Sequence, residues 1–230
     1  MIREHAPHRR LRRSWQELRQ SQDVSFQSGK ENLIKLYFSR NSPYARRARL
    51  AVREGGLMDQ VEEIAVESLE QLSDISVGQK IPVLVCEDGT ELCESLIITR
   101  YLNDLAGGIL MPGEKADLLQ ALQLESVASV LMDSHFVRSM EKYRREEALR
   151  STAVINREQT RANRCYRRLD ALVTDEADRV TLAAIAVISA LDYANWRHPE
   201  DDWRTGNHCL SAYYDRLSVR PAFAGTAPAY

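Results

Sequence analysis

A short hairpin within the first hundred residues most constrains the fold. IPVLVC (81–86) is a nearly continuous apolar strand, EDGT supplies a tight turn, and TELC (90–93) forms the return strand. Upstream, LIKLYF (33–38) and QVEEIAV (60–66) have strand patterns on either side of a helical segment. Because a βαβ unit pairs its strands in parallel whereas a hairpin pairs them antiparallel, the sequence predicts a small mixed sheet with helices packed on it.

The pattern becomes helical from Glu94 onward. The first helix there is predicted to bury one apolar face, formed by Leu96, Ile97, Tyr101, Leu102 and Leu105. Four further helical segments follow a Pro-Gly linker, over 114–147, about 151–173, about 181–196 and 207–218. We therefore expect an α/β domain over 31–108 and an all-helical domain over 114–230.

Composition narrows the class of protein. A formal net charge of −2 gives no reason to expect nucleic acid or an anionic membrane as the main partner. No apolar run approaches the roughly 20 residues that span a bilayer. Four cysteines without a CxxC and five histidines without an HxxxH argue against a metal site or a disulfide framework, which favours a reducing cytoplasm. The arginine-rich residues 1–30 lack an apolar signal core and are expected to be a poorly anchored extension, with a targeting or surface-binding segment as the alternative.

The segment NSPYARRARLAVREGG (41–56) is predicted to be a helix with marked ends. Ser42 occupies the N-cap position, Pro43 the first helical position, and Gly55 the end. One stripe is predicted to be buried, formed by Tyr44, Ala48, Ala51 and Val52. The opposite side carries the arginines Arg46, Arg47, Arg49 and Arg53. Whether Ser42 only caps this helix or also acts chemically stays open at this point.

Four motifs in this order resemble the glutathione transferase family. They are SPYARRARLAV at the first helix, KIPVLV (80–85), CESLII (93–98) and SVRPAFAGTAP (218–228). The resemblance covers roughly residues 33–228 and is closest to bacterial serine-type members. It implies a thioredoxin-like N-terminal domain, an all-α C-terminal domain, glutathione as co-substrate in a site between them, and usually a homodimer.

The resemblance assigns glutathione contacts to five residues. A cis bond before Pro82 would turn the backbone of Ile81 outward to pair with the cysteinyl part of glutathione. Glu94 and Ser95 would hold the γ-glutamyl end at a helix start, and Lys80 would attract the glycyl carboxylate. Plainer interpretations are an edge-strand proline, a helix N-cap at Ser95 and an exposed lysine.

The resemblance also implies attack by the glutathione thiolate on a small electrophile. Ser42 would stabilise that thiolate through its hydroxyl and through the helix start beneath it. Asn41, which has a donor amide, is the nearest alternative. Tyr37 is a weaker one, because tyrosine-type members place their hydroxyl near the end of the first strand. Since serine cannot form a mixed disulfide, Ser42 argues against thioltransferase chemistry.

The electrophile pocket is expected to lie against the first long helix of the helical domain. Met132, Phe136 and Met140 recur there at helical spacing, a stripe more typical of core than of pocket. His135 is expected at the surface or at an interface. Thr181 starts a later helix where the family usually has an acid three residues on; this chain has Ala184, so the cap lacks its reciprocal bond.

The residues and the resemblance together predict a cytoplasmic glutathione transferase that conjugates the thiolate to a small electrophile. Two alternatives use the same fold. One is a non-catalytic interaction or regulatory protein, because binding of glutathione is not turnover. The other is a glutathione-dependent lyase, dehalogenase or peroxidase that uses the same site.

Overall fold

The computed structural model describes residues 33–173 and 180–228, so the predicted extension over 1–30 lies outside the described residues. Within the described residues, four strands lie at Ile34–Phe38 (β1), Val61–Ala65 (β2), Val83–Val85 (β3) and Glu91–Leu92 (β4). Seven helices in the same ranges lie at Pro43–Glu54 (α1), Ser95–Leu105 (α2), Lys115–Tyr143 (α3), Thr152–Asp170 (α4), Leu182–Arg197 (α5), His208–Ser218 (α6) and Pro221–Ala224 (α7).

The four strands form one mixed sheet in the order β2-β1-β3-β4. β1 and β2 are parallel and joined through α1, whereas β3 pairs antiparallel with both β1 and β4. All strands in the described residues precede α2, and the chain beyond α2 is helical. The predicted architecture, a thioredoxin-like α/β half followed by an all-α half, is therefore confirmed.

Helix α1 is covered on more sides than its sequence pattern indicates. It packs against β1, α2 and α5, so the face that carries Arg46 and Arg47 is enclosed, and each of these residues is only 2% exposed. The helix therefore buries residues on both sides, and not only along the predicted stripe. Arg49 and Arg53 are partly buried as well, because their guanidinium groups bind the carboxylate of Glu63 on β2.

Arg47 ties α1 to the long helix α3. Its Nη2 donates to Oε1 of Glu125 at 3.1 Å and to Oγ of Ser129 at 3.0 Å. Arg100 of α2 forms a second ion pair with Glu125, which is itself 2% exposed. A buried charge persists only when it is paired and hydrogen-bonded, so this cluster holds three helices in a defined arrangement.

Arg46 ties α1 to the end of the described chain. Its Nη2 donates to the carbonyl oxygen of Phe223 at 3.0 Å, and its Nε donates to Oγ1 of Thr226 at 3.3 Å. An ion pair with Asp192 of α5 completes the set. Groups that are distant in sequence thus fix the position of the N-terminal half of α1.

Helix α2 departs from its predicted burial. Leu96 and Ile97 are 40% and 54% exposed, although both were assigned to the buried face, whereas Ile98 and Thr99 are fully buried. Since successive helical residues point about 100° apart, the buried face is rotated relative to the one that the apolar pattern indicates.

A buried polar network sets the orientation of α3 about its axis. His135 is fully buried, so the expected surface position is wrong; α4 and α5 cover this side of α3. Its Nε2 lies 2.7 Å from the hydroxyl of Tyr166. Arg138, one turn along, pairs with Asp201 at 2.8 Å and donates to Nδ1 of His198 at 3.0 Å. With this side of α3 fixed, residues such as Phe136 and Met140 face outward.

Acidification from about pH 6.5 to about pH 4 is expected to destabilise the fold through His198. Burial lowers its pKa to about 4, and the ring accepts from Arg138 at Nδ1, a bond that only the neutral form can make. The unfolded chain takes up this proton near pH 6.5, so His198 should contribute a fall of about 1.4 kcal/mol per pH unit in the free energy of unfolding in this window. Burial also lowers the pKa of His135 well below its usual value, so His135 adds to the slope. Urea unfolding at several pH values measures this slope. His198→Gln should reduce this slope by the share of His198 and leave the share of His135, whereas the exposed His208→Gln should not change it; equal slopes in the wild type and His198→Gln would refute the assignment.

Candidate active-site cleft

A cleft of about 1050 Å³ opens between the sheet-side loops and helices α3 and α5. Seven of the eight residues singled out from the sequence line it: Asn41, Ser42, Lys80, Ile81, Pro82, Glu94 and Ser95. Tyr37 is not among the lining residues, because it lies within β1, where it pairs with Ile64 and Val83. Segments that are far apart in the chain are thereby brought to one concave surface.

Ser42 caps α1 and still has a donor to offer. Its Oγ accepts a hydrogen bond from the N–H of Ala45 at 3.2 Å, and its backbone is extended, as an N-cap requires. That bond uses an acceptor lone pair of the hydroxyl and leaves its O–H free to donate. The half-buried hydroxyl therefore combines a donor with the positive end of the helix dipole on the wall of the cleft.

Asn41 keeps a comparable capacity. Its Oδ1 accepts from the hydroxyl of Ser39 at 3.0 Å, which leaves the amide NH₂ as a donor toward the cleft. Asn41 and Ser42 are thus adjacent donors.

The turn before β3 presents backbone groups to the cleft. The bond between Ile81 and Pro82 is cis, as the sequence resemblance implied. The N–H and C=O of Ile81 have no backbone hydrogen-bond partner within residues 33–173 and 180–228. Pro82 is buried and Lys80 is exposed beside it. An extended peptide could pair with Ile81 as an added strand does.

Helix α2 begins at Ser95, one residue before the start that the expected N-cap at Ser95 would give. Glu94, and not Ser95, occupies the N-cap position, and Ser95 is the first helical residue. Glu94 has φ of +67°, a conformation that costs a non-glycine residue on the order of 1–3 kcal/mol. Its side chain is exposed, whereas Ser95 is buried, and both line the cleft. An exposed carboxylate therefore stands next to a helix N-terminus, which suits a ligand that carries both charges.

Tyr44 and Asp133 form a pair that sequence reasoning missed. The Tyr44 hydroxyl donates to Oδ1 of Asp133 at 2.6 Å, and its ring meets Phe136 edge-on with 5.5 Å between centroids. Burial, and then the bond to Asp133, raises the pKa of Tyr44 well above its usual value, so it stays a neutral phenol. The position of Tyr44 two residues after Ser42 could have indicated that it lies in the site. Its helical spacing instead led to its assignment to the buried stripe.

The predicted Met/Phe stripe of α3 divides between core and cleft. Met132 is fully buried, as a core residue is, whereas Phe136 and Met140 line the cleft together with Val137. Beyond these residues the wall becomes polar and basic, with Arg144, Tyr193 and Arg197. The sequence did not predict this part of the wall, because its residues come from two different helices.

Two other classes of site receive no support from the structure. In the described part of the chain no group of three or more His, Cys, Asp or Glu side chains could hold a metal ion. No helix among the same residues combines the length and apolar character needed to cross a membrane.

Comparison with known proteins agrees with this geometry. Residues 41–105 match the family profile described as the glutathione S-transferase N-terminal domain. An uncharacterized GST-like protein of Escherichia coli K12, YibF, is 27% identical over 200 residues, which cover 85% of this chain and 98% of that protein. The crystal structure of a glutathione S-transferase from Methylobacterium radiotolerans, in complex with glutathione sulfonate, is 29% identical with a TM-score of 0.77 and covers 86% of this chain and 95% of its own.

Over residues 41–105 the chain is thus similar to the N-terminal domain of the glutathione transferase family, and over most of its length it is similar to solved members of that family. A further family member, from Pseudomonas fluorescens Pf-5 and crystallised with bound glutathione, is 26% identical with a TM-score of 0.80, covering 86% of this chain and all of that one. The glutathione transferase architecture places the start of α1, the Ile81–Pro82 turn and the start of α2 on one wall of the cleft, and α3 and α5 on the other.

Proposed function

We propose that this protein is a cytoplasmic transferase that conjugates the thiolate of glutathione to a small electrophile. The observation that carries the proposal is the convergence of Ser42, Lys80, Ile81, Glu94 and Ser95 on one cleft, with Ser42 at a helix start. Complexes of the Methylobacterium and Pseudomonas relatives with glutathione sulfonate and glutathione support the ligand class.

Charge complementarity orients glutathione in this cleft. The exposed Glu94 carboxylate binds the α-ammonium group, and the N-terminus of α2 with Ser95 binds the α-carboxylate. The cysteinyl backbone pairs with Ile81, and the glycyl carboxylate lies near Lys80. The thiol is then left beside Ser42.

Ser42 raises the fraction of thiolate. A free thiol with a pKa of about 8.5 is only a few per cent ionised at pH 7. A hydrogen bond from the Ser42 hydroxyl and the dipole of α1 both favour the charged form. The thiol proton passes to solvent, and the sulfur then forms a bond to the electrophilic carbon while the leaving group departs with its electron pair. Tyr44 takes no part in this ionisation, because its own proton is held by Asp133.

Ser95→Ala is expected to weaken glutathione binding by about tenfold, because one hydrogen bond to a charged group is lost. Isothermal calorimetry measures this directly. The matched control is Ser126→Ala, whose hydroxyl bonds to the carbonyl of Gln123 on the exposed side of α3 and should leave affinity unchanged. Equal affinities of Ser95→Ala and wild type would contradict the assigned contact.

Calorimetry and a conjugation assay on the wild type test the function itself. Binding of glutathione together with turnover of at least one electrophile in a broad panel is expected. No binding at millimolar glutathione would rule out every glutathione-dependent activity. Binding without turnover would favour the non-catalytic alternative, and release of halide or peroxide consumption without a stable conjugate would favour a lyase, dehalogenase or peroxidase.

A homodimer is part of the proposal. Helices α2 and α3 carry exposed apolar side chains that the monomer leaves in contact with water: Leu96, Ile97, Leu119 and Leu122. Burial of apolar area stabilises association by roughly 25 cal/mol per Å², so a second copy that covers these residues would bind favourably. Sedimentation equilibrium is expected to give twice the mass of 26.2 kDa, and a monomer at micromolar concentration would contradict this part.

A further inference from the structure

The helical wall of the cleft changes in chemical character along its length. On α3, Asp133 is bound by Tyr44, the apolar Phe136, Val137 and Met140 follow, and Arg144 stands at the C-terminal end. At 1.5 Å of rise per residue, Phe136 and Arg144 are about 12 Å apart along the helix axis. Because Tyr44 is two residues from Ser42, the end of the wall that carries Phe136 is the end nearest the thiolate.

Arg144 supplies a positive charge that no side chain among the described residues neutralises. It is exposed to the cleft, and within residues 33–173 and 180–228 no carboxylate lies within ion-pair distance of its guanidinium. Its neighbours differ in this respect, because Lys142 pairs with Glu200 and Arg145 pairs with Glu141. A charge that lines a cleft without an internal partner is available to a ligand of opposite sign.

A second guanidinium reinforces this end of the cleft. Arg197 is the last residue of α5, and its Cζ lies 3.7 Å above the ring of Trp196, a stacking contact that orients the planar group. Burial raises the pKa of Tyr193, and hydrogen bonds from Ser139 and Arg197 act in the opposite direction. Besides Asp133, the carboxylates that line the cleft are Glu67 and Glu94, and both lie on the sheet side.

We propose that the electrophile carries a carboxylate, which Arg144 and Arg197 bind at the far end of the cleft. Its apolar body lies over Phe136, Val137 and Met140, and its reactive carbon lies next to the thiolate beside Ser42. This inference rests on the proposed conjugation reaction and adds the class of substrate. An arginine matches a carboxylate with two parallel hydrogen bonds, so the pair selects an acid over the neutral ester of the same size.

The test uses matched acids and esters. Chlorodinitrobenzoyl amides of glycine, γ-aminobutyrate and ε-aminohexanoate place a carboxylate at increasing distances from the reactive ring carbon, and their methyl esters lack the charge. In each case the thiolate sulfur forms a bond to the ring carbon, chloride leaves with the electron pair of the broken bond, and the carboxylate takes no part. Wild type should prefer the longer acids to their esters by about tenfold or more in kcat/KM.

Arg144→Gln should reduce that preference to near unity and leave the KM for glutathione unchanged. Arg145→Gln is the matched control, because this neighbour is paired with Glu141 and does not line the cleft; it should keep the wild-type preference. Equal turnover of acids and esters by the wild type would overturn the inference and leave the proposed conjugation intact. A rise in the KM for glutathione in Arg144→Gln, with the electrophile unaffected, would also overturn it by assigning Arg144 to glutathione.

A binding measurement separates this inference from the proposed function. Calorimetry with the preformed glutathione conjugates of the same acids and esters needs no turnover. Tighter binding of the acid conjugates to wild type than to Arg144→Gln, with equal binding of the ester conjugates, supports the carboxylate site even if the protein proves non-catalytic. Equal binding of acid and ester conjugates to wild type excludes the site.

Discussion

Ser42→Ala is expected to lower kcat/KM for glutathione conjugation by about 10- to 100-fold at pH 7. A hydrogen bond to a charged group contributes about 1.5–3 kcal/mol, and in the proposed mechanism Ser42 makes such a bond only to the ionised thiol. The pKa of bound glutathione, read from thiolate absorbance in the ultraviolet, should rise by one to two units at about the same affinity for glutathione. Activity should therefore recover partly as the pH is raised.

The loss of a helix cap must be separated from the loss of a catalytic donor. Ser151 caps α4 in the same way, accepting from the N–H of Val154 at 3.3 Å, and it does not line the cleft. Ser151→Ala should cost a similar stability of about 1 kcal/mol and leave activity unchanged. Full activity in Ser42→Ala would instead assign stabilisation of the thiolate to Asn41. In that case Asn41→Ala should show the loss of activity.

Glu125→Ala is expected to lower the free energy of unfolding by about 3–5 kcal/mol, a large part of the total for a typical domain. Removal of this carboxylate leaves Arg47 enclosed with only the hydroxyl of Ser129 as a charge-neutral partner. Burial already lowers the pKa of Arg47, and Glu125 is the largest influence that opposes it. Chemical denaturation measures the difference as a change in midpoint at constant slope.

A surface ion pair provides the control for Glu125. Asp215 binds Arg204 at 2.9 Å where both side chains are largely exposed, so Asp215→Asn should cost less than about 1 kcal/mol. The double variant Arg47→Met with Glu125→Leu should recover most of the lost stability, because the one charge that then loses its partner, on Arg100, is partly exposed to solvent. A cost for Glu125→Ala no larger than that for Asp215→Asn would contradict the role given to this pair.

Local patterns were sufficient to predict the mixed sheet and the position of Ser42. A hairpin, a βαβ unit and an N-cap each depend on residues close together in the chain, so their signals survive in a single sequence. The cap at Thr181 likewise forms without its reciprocal acid, since its Oγ1 accepts from the N–H of Ala184 at 3.2 Å. The family resemblance, carried by the KIPVLV and CESLII motifs, added five lining residues on the sheet side of the cleft: Lys80, Ile81, Pro82, Glu94 and Ser95.

The burial predictions that were wrong, and the basic end of the cleft that was missed, share one cause: the contacts that decide them involve partners distant in sequence. Arg46 and Arg47 have the composition of a solvent-facing stripe, and only the helices that fold over them show otherwise. His135 was misplaced for the same reason. The basic end of the cleft draws Arg144 and Arg197 from two different helices, so no local period marks it.

The hydrogen bond between Arg46 and Thr226 has a consequence for synthesis on the ribosome. These two residues are 180 positions apart, and the chain emerges from its N-terminal end. The guanidinium of Arg46 therefore lacks these ligands until the chain has been made as far as Thr226, so α1 reaches its native packing only after the helical segments before Thr226 have been synthesised. Ser42, the N-cap of that helix, is among the first residues of the site to be synthesised. Its final position is among the last to be fixed, because it depends on the packing of α1.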